Sequence, residues 1–164
     1  MFRPLYLASL SIAVLLVLSV QQAGAQPSVQ PTVSLELGKP IERPIAAGET
    51  QSYTLTLSSD QYAHVVVDQR AVDLVVVVYG PDGAKIVQVD SPNYNYGVEP
   101  VFIVAGTAGE YRLELQSQSP KVPGRYEVKL EELRAAAEPD RNRIAAQQLF
   151  EEAVQDTALR DRRS

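Results

Sequence analysis

The stretch from Val72 to Gly83, VDLVVVVYGPDG, leaves the chain few architectures to choose from. Its apolar run, Leu74 to Tyr79, is six residues long and too short for an ordinary buried helix. Valine is stiff at χ1 and packs well on a pleated surface, so the run predicts a central strand buried on both faces. Pro81 presets a turn dihedral and Gly83 takes positive φ at little steric cost, so the GPDG that follows predicts a sharp reversal. Such a strand needs covering layers on both sides, and the flanking sequence offers partners for it.

Those partners announce themselves by alternation. Val33, Leu35 and Leu37 alternate with polar residues, and a Pro-rich connection then leads to the turn Ala47-Gly48-Glu49. Tyr53, Leu55 and Leu57 follow, then the turn Ser58-Ser59-Asp60. From Gln61 to Gln69, Ala63, Val65 and Val67 mark the face expected to be buried, with Tyr62, His64, Val66 and Asp68 on the other. Ala84 to Val89 returns from the GPDG turn as a hairpin partner, and Val98 to Val104 is a further strand. Tyr111, Leu113 and Leu115, then Tyr126, Val128 and Leu130, complete the series. About eight short strands with turn signals between them predict an all-β sandwich or barrel over residues 33–133.

The two ends differ in character from this middle. Residues 1–25 have the layout of a secretory signal peptide: Arg3, an apolar stretch from Leu5 to Val20, and small residues at Ala23-Gly24-Ala25. The apolar stretch would span only about 24 Å as a helix, against a hydrocarbon core of about 30 Å, so no stable membrane span is expected after cleavage. Residues 26–32 are a polar, proline-containing leader. Residues 134–164 read as a linker and an amphipathic C-terminal α-helix. Pro139-Asp140 precedes the helix, Asp140 is a candidate N-cap, and Ala146, Leu149, Phe150, Ala153 and Val154 form its apolar stripe. An isolated helix of this length is marginal in water unless its stripe is covered. Leu149, Phe150, Ala153 and Val154 are therefore candidate partner-binding residues.

Composition removes several classes of function. The expected mature chain carries 14 basic and 20 acidic residues, a formal charge of −6, and no basic stripe, which argues against nucleic acid. No cysteine is present, so disulfides, thiolate metal sites, a Cys nucleophile and lipid attachment through an N-terminal Cys are all excluded.

The punctuation of the strands also has a familiar order. Gly48-Glu49, Tyr53-x-Leu55-x-Leu57, Tyr62 with Val65-x-Val67, Asp73-Leu74, Pro81-Asp82-Gly83, Gly109-Glu110-Tyr111-x-Leu113 and Gly124-x-Tyr126-x-Val128 succeed one another. This series resembles the bacterial pre-peptidase C-terminal (PPC) domain, over about Ser34 to Leu133. The resemblance implies a jelly-roll-like antiparallel β-sandwich of a secreted protein. It also implies an accessory role in secretion, folding or target attachment, without catalysis of its own. A secreted domain of this type followed by Arg143-Ile144-Ala145-Ala146-Gln147-Gln148-Leu149-Phe150 is also similar to the start of bacterial proteins that continue into tetratricopeptide repeats and a CHAT peptidase. That second likeness implies a helical protein partner for the tail.

No residue set reads as catalytic, cofactor-binding or metal-binding. His64 is the single histidine, and no Gly-x-Ser-x-Gly elbow accompanies it, so it reads as an exposed strand residue. Asp60, Asp68, Asp73, Asp82, Asp90 and Glu99 lie near turns and strand ends, but no Asp-x-Asp-x-Asp-Gly run is present, so they read as solvated carboxylates. Asp73 is expected to tie a strand edge by bonding nearby backbone. The segment with a recognition character is Ser91 to Gly97, SPNYNYG. Tyrosine offers a large amphipathic face at low entropic cost and asparagine adaptable hydrogen bonds, a combination found in recognition loops. Tyr94, Tyr96, Asn93 and Asn95 are the candidate ligand-binding residues, for an envelope polysaccharide or an extended protein segment. The structural alternative is that one tyrosine packs over the sandwich end and the other is merely exposed.

The expected protein is thus a secreted or periplasmic, non-enzymatic β-sandwich binding module, or else a sensory or assembly domain acting through its tail helix. Intact mass of the mature protein from its native host should correspond to a chain beginning at Gln26. A species retaining Met1 or Arg3 would contradict the signal-peptide reading.

Overall fold

The computed structural model describes residues 32–119 and 121–161, with side chains as far as Leu149. The expected signal peptide and all of the leader before Thr32 lie outside the described residues. Nine strands and one helix follow in order: β1 (Val33–Ser34), β2 (Ile41–Ile45), β3 (Thr50–Leu57), β4 (Gln61–Arg70), β5 (Leu74–Tyr79), β6 (Lys85–Val89), β7 (Tyr96–Val104), β8 (Gly109–Ser117), β9 (Gly124–Ala135) and α1 (Glu138–Asp161). They form an open, jelly-roll-like β-sandwich. One sheet has the order β1-β3-β8-β5-β6 and the other β2-β9-β4-β7. Pairing is antiparallel except between β1 and β3.

The expected alternation builds the core. Tyr53, Leu55, Leu57, Ala63, Val65, Val67, Tyr111, Leu113, Leu115, Tyr126, Val128 and Leu130 are all buried between the sheets. β5 is buried on both faces, but its covering differs from the expected one. Leu74, Val76 and Val78 join the core, while Val75 and Val77 are buried on the outer face. Of the alternating segments read as its partners, Tyr53–Leu57 and Tyr111–Leu115 belong to its own sheet, whereas Tyr126–Leu130 stands opposite. On the outer side the ladder places Gln116 and Glu114 of β8 and Gln88 of β6 beside Val75 and Val77. Long polar side chains shield apolar neighbours with their aliphatic stems and keep their heads in water. A carpet of such stems replaces the second layer.

The ninth strand is β2, which lies inside the stretch read as a Pro-rich connection. Ile41 to Ile45 pairs in register with Val128 to Gly124. Pro44 is tolerated because β2 is an edge strand, and its carbonyl is taken by the Gln51 side-chain amide at 2.9 Å. The first predicted strand is also redistributed. β1 ends at Ser34, and by Leu37 the chain has crossed to bridge Leu130 of the other sheet, which leaves Leu37 exposed.

β9 runs to Ala135, two residues past the expected sandwich boundary at residue 133, and carries a bulge. Val65 pairs with Leu130 but His64 pairs with Glu132, so Glu131 is the extra residue. The inserted residue restarts the inward–outward phase. Leu133 then turns in against the core, and Arg134 turns out beside Tyr62. Tyr62, expected on the polar face, is buried there beneath the Arg134 guanidinium, which lies 4.2 Å from its ring centre. Asp140 is not the N-cap of α1. It stands in the first turn, reaches back to the Ala137 amide at 2.8 Å, and is gripped by both terminal nitrogens of Arg134 at 2.6 and 2.8 Å.

A hydrogen-bonded chain joins the two sheets through the core. The Tyr53 and Tyr126 rings meet edge to face with centroids 6.4 Å apart, their hydroxyls lie 2.6 Å apart, and Tyr126 donates to Gln51 Oε1 at 2.5 Å. Burial and the neighbouring Tyr53 hydroxyl hold the Tyr126 phenol far above its usual pKa, so it stays neutral. Tyr126→Phe removes the donor to Gln51 and the acceptor for Tyr53 together. It should lower stability by about 2–3 kcal/mol, against about 1 kcal/mol for Tyr111→Phe, whose hydroxyl makes one bond to the Thr107 carbonyl. Urea midpoints of the two variants at equal m-value measure the difference.

Candidate functional site

Four loops meet at one end of the sandwich: β2–β3, β4–β5, β6–β7 and β8–β9. Main-chain bonds stitch them together, from Ser117 N to Glu49 O, from Gln118 N to Asp73 O, and from Val72 N to Asn95 O. Asp73 thus ties a strand edge through its carbonyl, whereas its carboxylate was the group expected to do so. Gly124 is held close by the same arrangement, since a Cβ there would lie 2.5 Å from Cβ of Val72.

The Ser91–Gly97 segment crowns this end. Tyr94 is 80% exposed and Tyr96 66% exposed, so neither ring packs over the sandwich. Tyr94 holds a left-handed backbone at φ 56°, a conformation that costs a non-glycine residue about 1–3 kcal/mol. The segment keeps this shape because it is tied from beneath. Asn93 turns its side chain inward, accepting from Gln69 Nε2 at 2.8 Å and donating to the Val98 carbonyl at 3.2 Å. Asn95 is exposed at its side chain, and its carbonyl is the acceptor for Val72. Tyr94, Tyr96 and Asn95 therefore face solvent together, while Asn93 works as a tether.

Beneath the tether lie Gln69, which carried no chemical expectation, and Glu99, which was expected to be a solvated carboxylate and is buried instead. Gln69 and Glu99 are each 1% exposed. Gln69 Nε2 donates to Glu99 Oε1 at 2.8 Å, Gln69 Oε1 accepts from the Leu74 amide, and Glu99 Oε2 accepts from the Ser91 amide at 2.8 Å. The signal for both was in the alternation. Gln69 continues the inward row Ala63-Val65-Val67, and Glu99 begins the inward row Val101-Ile103. A polar residue in phase with a buried row needs partners, because an unpaired buried polar group is costly.

Desolvation pushes the Glu99 carboxyl above the usual glutamate range, against the opposing pull of the Ser91 and Asn93 bonds. Asp90 is raised as well, by burial and by the nearby Asp73 carboxylate. The other carboxylates weighed as metal ligands do not gather here. Asp60 pairs with Arg141, Asp82 caps the Ala84 amide in the far turn, and Asp68 pairs with Arg70 on the outer face of the second sheet. Among the described residues no three His, Asp or Glu side chains converge as metal ligands.

A shallow cleft of about 530 Å³ opens beside the loops, lined by Arg43, Pro44, Ile45, Ala46, Glu49, Gln51 and Pro123. Its polar groups serve the fold. Glu49 accepts from the Ala46 amide and from Gln51, and Gln51 is fully bonded to Pro44, Glu49 and Tyr126. No nucleophile–base pair lines it.

No protein-family model matches the chain, and no curated protein sequence matches it. Solved structures match its fold. The pre-peptidase C-terminal domain of collagenase from Bacillus anthracis superposes with a TM-score of 0.51 at 18% identity, over 62% of this chain and 98% of that one. The sandwich has the pre-peptidase C-terminal fold. PliG of Aeromonas hydrophila, a periplasmic lysozyme inhibitor of g-type lysozyme, superposes with a TM-score of 0.43 at 18% identity, over 61% of this chain and 96% of that one. For PliG of Salmonella Typhimurium the values are 0.41, 15%, 61% and 97%.

The PPC-type sandwich places the remaining candidates away from the loop end. His64 lies on the outer face of the second sheet, stacked on Phe102 at 4.6 Å, with Nδ1 3.8 Å from Glu131. It is only partly exposed, unlike the solvated residue expected. Among the described side chains of α1 the buried and half-buried positions are Asp140, Ile144 and Gln147, a different face from the expected stripe. Ala146 is exposed and Leu149 is 67% exposed, while the side chains of Phe150, Ala153 and Val154 lie outside the described residues.

The raised Glu99 and Asp90 carboxyls set the sign of a pH dependence. Groups whose folded pKa is raised add stability that is complete below their ordinary pKa and lost as pH rises through the folded value. The loop end should therefore be most stable in mild acid and weaken toward neutrality. Glu99→Gln, which keeps an acceptor for Gln69, should flatten that slope in thermal melts run from pH 4.5 to 7.5.

Proposed function

We propose that this protein is a secreted, non-enzymatic accessory module of the cell envelope or exterior, which binds an envelope polysaccharide or an extended protein segment through its loop end. The observation that carries the reading is the pairing of two exposed tyrosines with a buried tether. Tyr94 and Tyr96 stand clear of the surface on a segment fixed by Gln69, Glu99 and Asn93. A ring held in place before contact loses little freedom on binding, and pre-organisation of this kind is what raises affinity in recognition loops. Val98 extends the apolar surface from Tyr96 along the same outward row of β7. The signal-peptide pattern of residues 1–25 supports the compartment.

A second reading has its own observation. Leu149 projects from α1 into solvent on a face that the sandwich leaves uncovered. Such a face suits a helical protein partner, as in a sensory or assembly domain that joins helical repeats.

One pull-down separates the two. The mature protein, incubated with envelope fractions of its native host, should retain a partner. The double variant Tyr94→Ala, Tyr96→Ala should lose at least about tenfold in retention, a loss of ~1.4 kcal/mol. Deletion of Arg141 to Ser164 should leave retention unchanged. The reverse pattern would move the function to the helix.

A further inference from the structure

The outward row of β7 reads Tyr96, Val98, Pro100, Phe102, Val104, and all five side chains are apolar. α1 packs against the β7 strand, and its Arg143 guanidinium lies 5.1 Å from the centre of the Phe102 ring. Tyr96 and Val98 are exposed, whereas Phe102 and Val104 are half-buried. The helix thus covers one half of an apolar row whose other half begins the loop surface.

His64 lies against the covered half of the row, on Phe102. Its ring stacks on Phe102 with an interplanar angle of 23°, so Phe102 meets His64 and Arg143 together. His64 Nε2 is fully buried and, among the described residues, has no hydrogen-bond partner. A neutral imidazole leaves one nitrogen as an acceptor and tolerates this arrangement at modest cost, but a protonated ring presents two donors and a charge, and both need solvation. We propose that His64 latches α1 over the second sheet, holding the helix down while the ring is neutral and releasing it when the ring takes a proton.

The surrounding charges fix the direction. Burial is the leading influence and favours the neutral ring; Arg143 on α1 acts the same way, while Glu131 and Glu132 on β9 oppose it. The net effect lowers the His64 pKa below its ordinary value of 6.5. Docking is then complete above that value and weakens as pH falls from it, by at most about tenfold per pH unit. Asp140 is held well below the usual carboxylate range by Arg134, whose own pKa is raised, and Arg141 pairs with Asp60. The Arg134–Asp140 clamp therefore persists as a pivot while the following turns lift. Release would uncover Phe102 and Val104 and lengthen the apolar row from Tyr96 to Val104. The latch stands on its own geometry; only the consequence for binding rests on the reading of the loop end above.

Amide exchange of the mature protein tests it. An undocked α1 is marginal as a helix, so protection at Arg143 to Leu149, corrected for intrinsic rates, should fall about three- to tenfold between pH 7 and pH 5.5. Amides of β3 should keep their protection over the same range. The His64 ring signal, the only one of its kind in the chain, should titrate with the same midpoint as the loss. His64→Phe and His64→Gln should both give flat profiles, and either one suffices if the other folds poorly. Flat protection in the unmodified protein, a ring midpoint apart from the exchange midpoint, or an undiminished fall in either variant would overturn the latch.

Discussion

An open sandwich has four strand edges, and each one is a template for unwanted pairing with another chain. Here every edge carries a device against it. β1 is two residues long. β6 is five residues long and is offset from β5 by a register shift at Tyr79. β2 carries Pro44 and β7 carries Pro100, and proline has no amide to offer a new strand. The long strands, β4 and β9, are kept inside their sheet. With its main-chain edges closed in this way, what the molecule presents to its surroundings is side chains. At the loop end the exposed apolar side chains are Tyr94, Tyr96 and Val98.

Strand identity was legible because its signal is local. A period of two along β3, β4, β8 and β9, and the valine run of β5, need no tertiary information. What the sequence concealed depends on long-range pairing. β2 contains a proline that argues against a strand unless the strand is known to lie at an edge. The bulge at Glu131 breaks the period of β9, so its last residues read as the start of something new. Tyr62 looks solvent-facing by alternation, and only the later arrival of Arg134 and α1 buries it. The helix stripe misled for a related reason. Leu149 and Phe150 are the conspicuous apolar residues of α1, yet the docked face is defined by Asp140, Ile144 and Gln147, because the clamp to Arg134 sets the rotation of the helix.

The candidate site was half legible. The tyrosines and asparagines advertised a recognition loop by composition alone. Gln69 and Glu99 did not, since a polar residue at a strand end usually reads as exposed. Counting in twos from Val67 and Val101 puts both inside, and that is the one local cue to the tether. Its physical logic is that a strained residue such as Tyr94 persists only where its surroundings over-determine it. Four buried or half-buried bonds through Gln69, Glu99 and Asn93 supply that over-determination.

The two polar sites also differ in what a proton does to them, and β7 connects both. At the loop end Glu99 begins the inward row of β7, and a proton on its carboxyl removes a buried charge. Under α1, His64 stacks on Phe102 of the outward row, and a proton there creates a charge where none is solvated. Acidification therefore acts in opposite senses on the two faces of one edge strand. It tightens the support beneath Tyr94 and Tyr96 and loosens the cover over Phe102 and Val104. An edge strand already closed to main-chain pairing by Pro100 can gain side-chain surface in this way without becoming a site for strand addition.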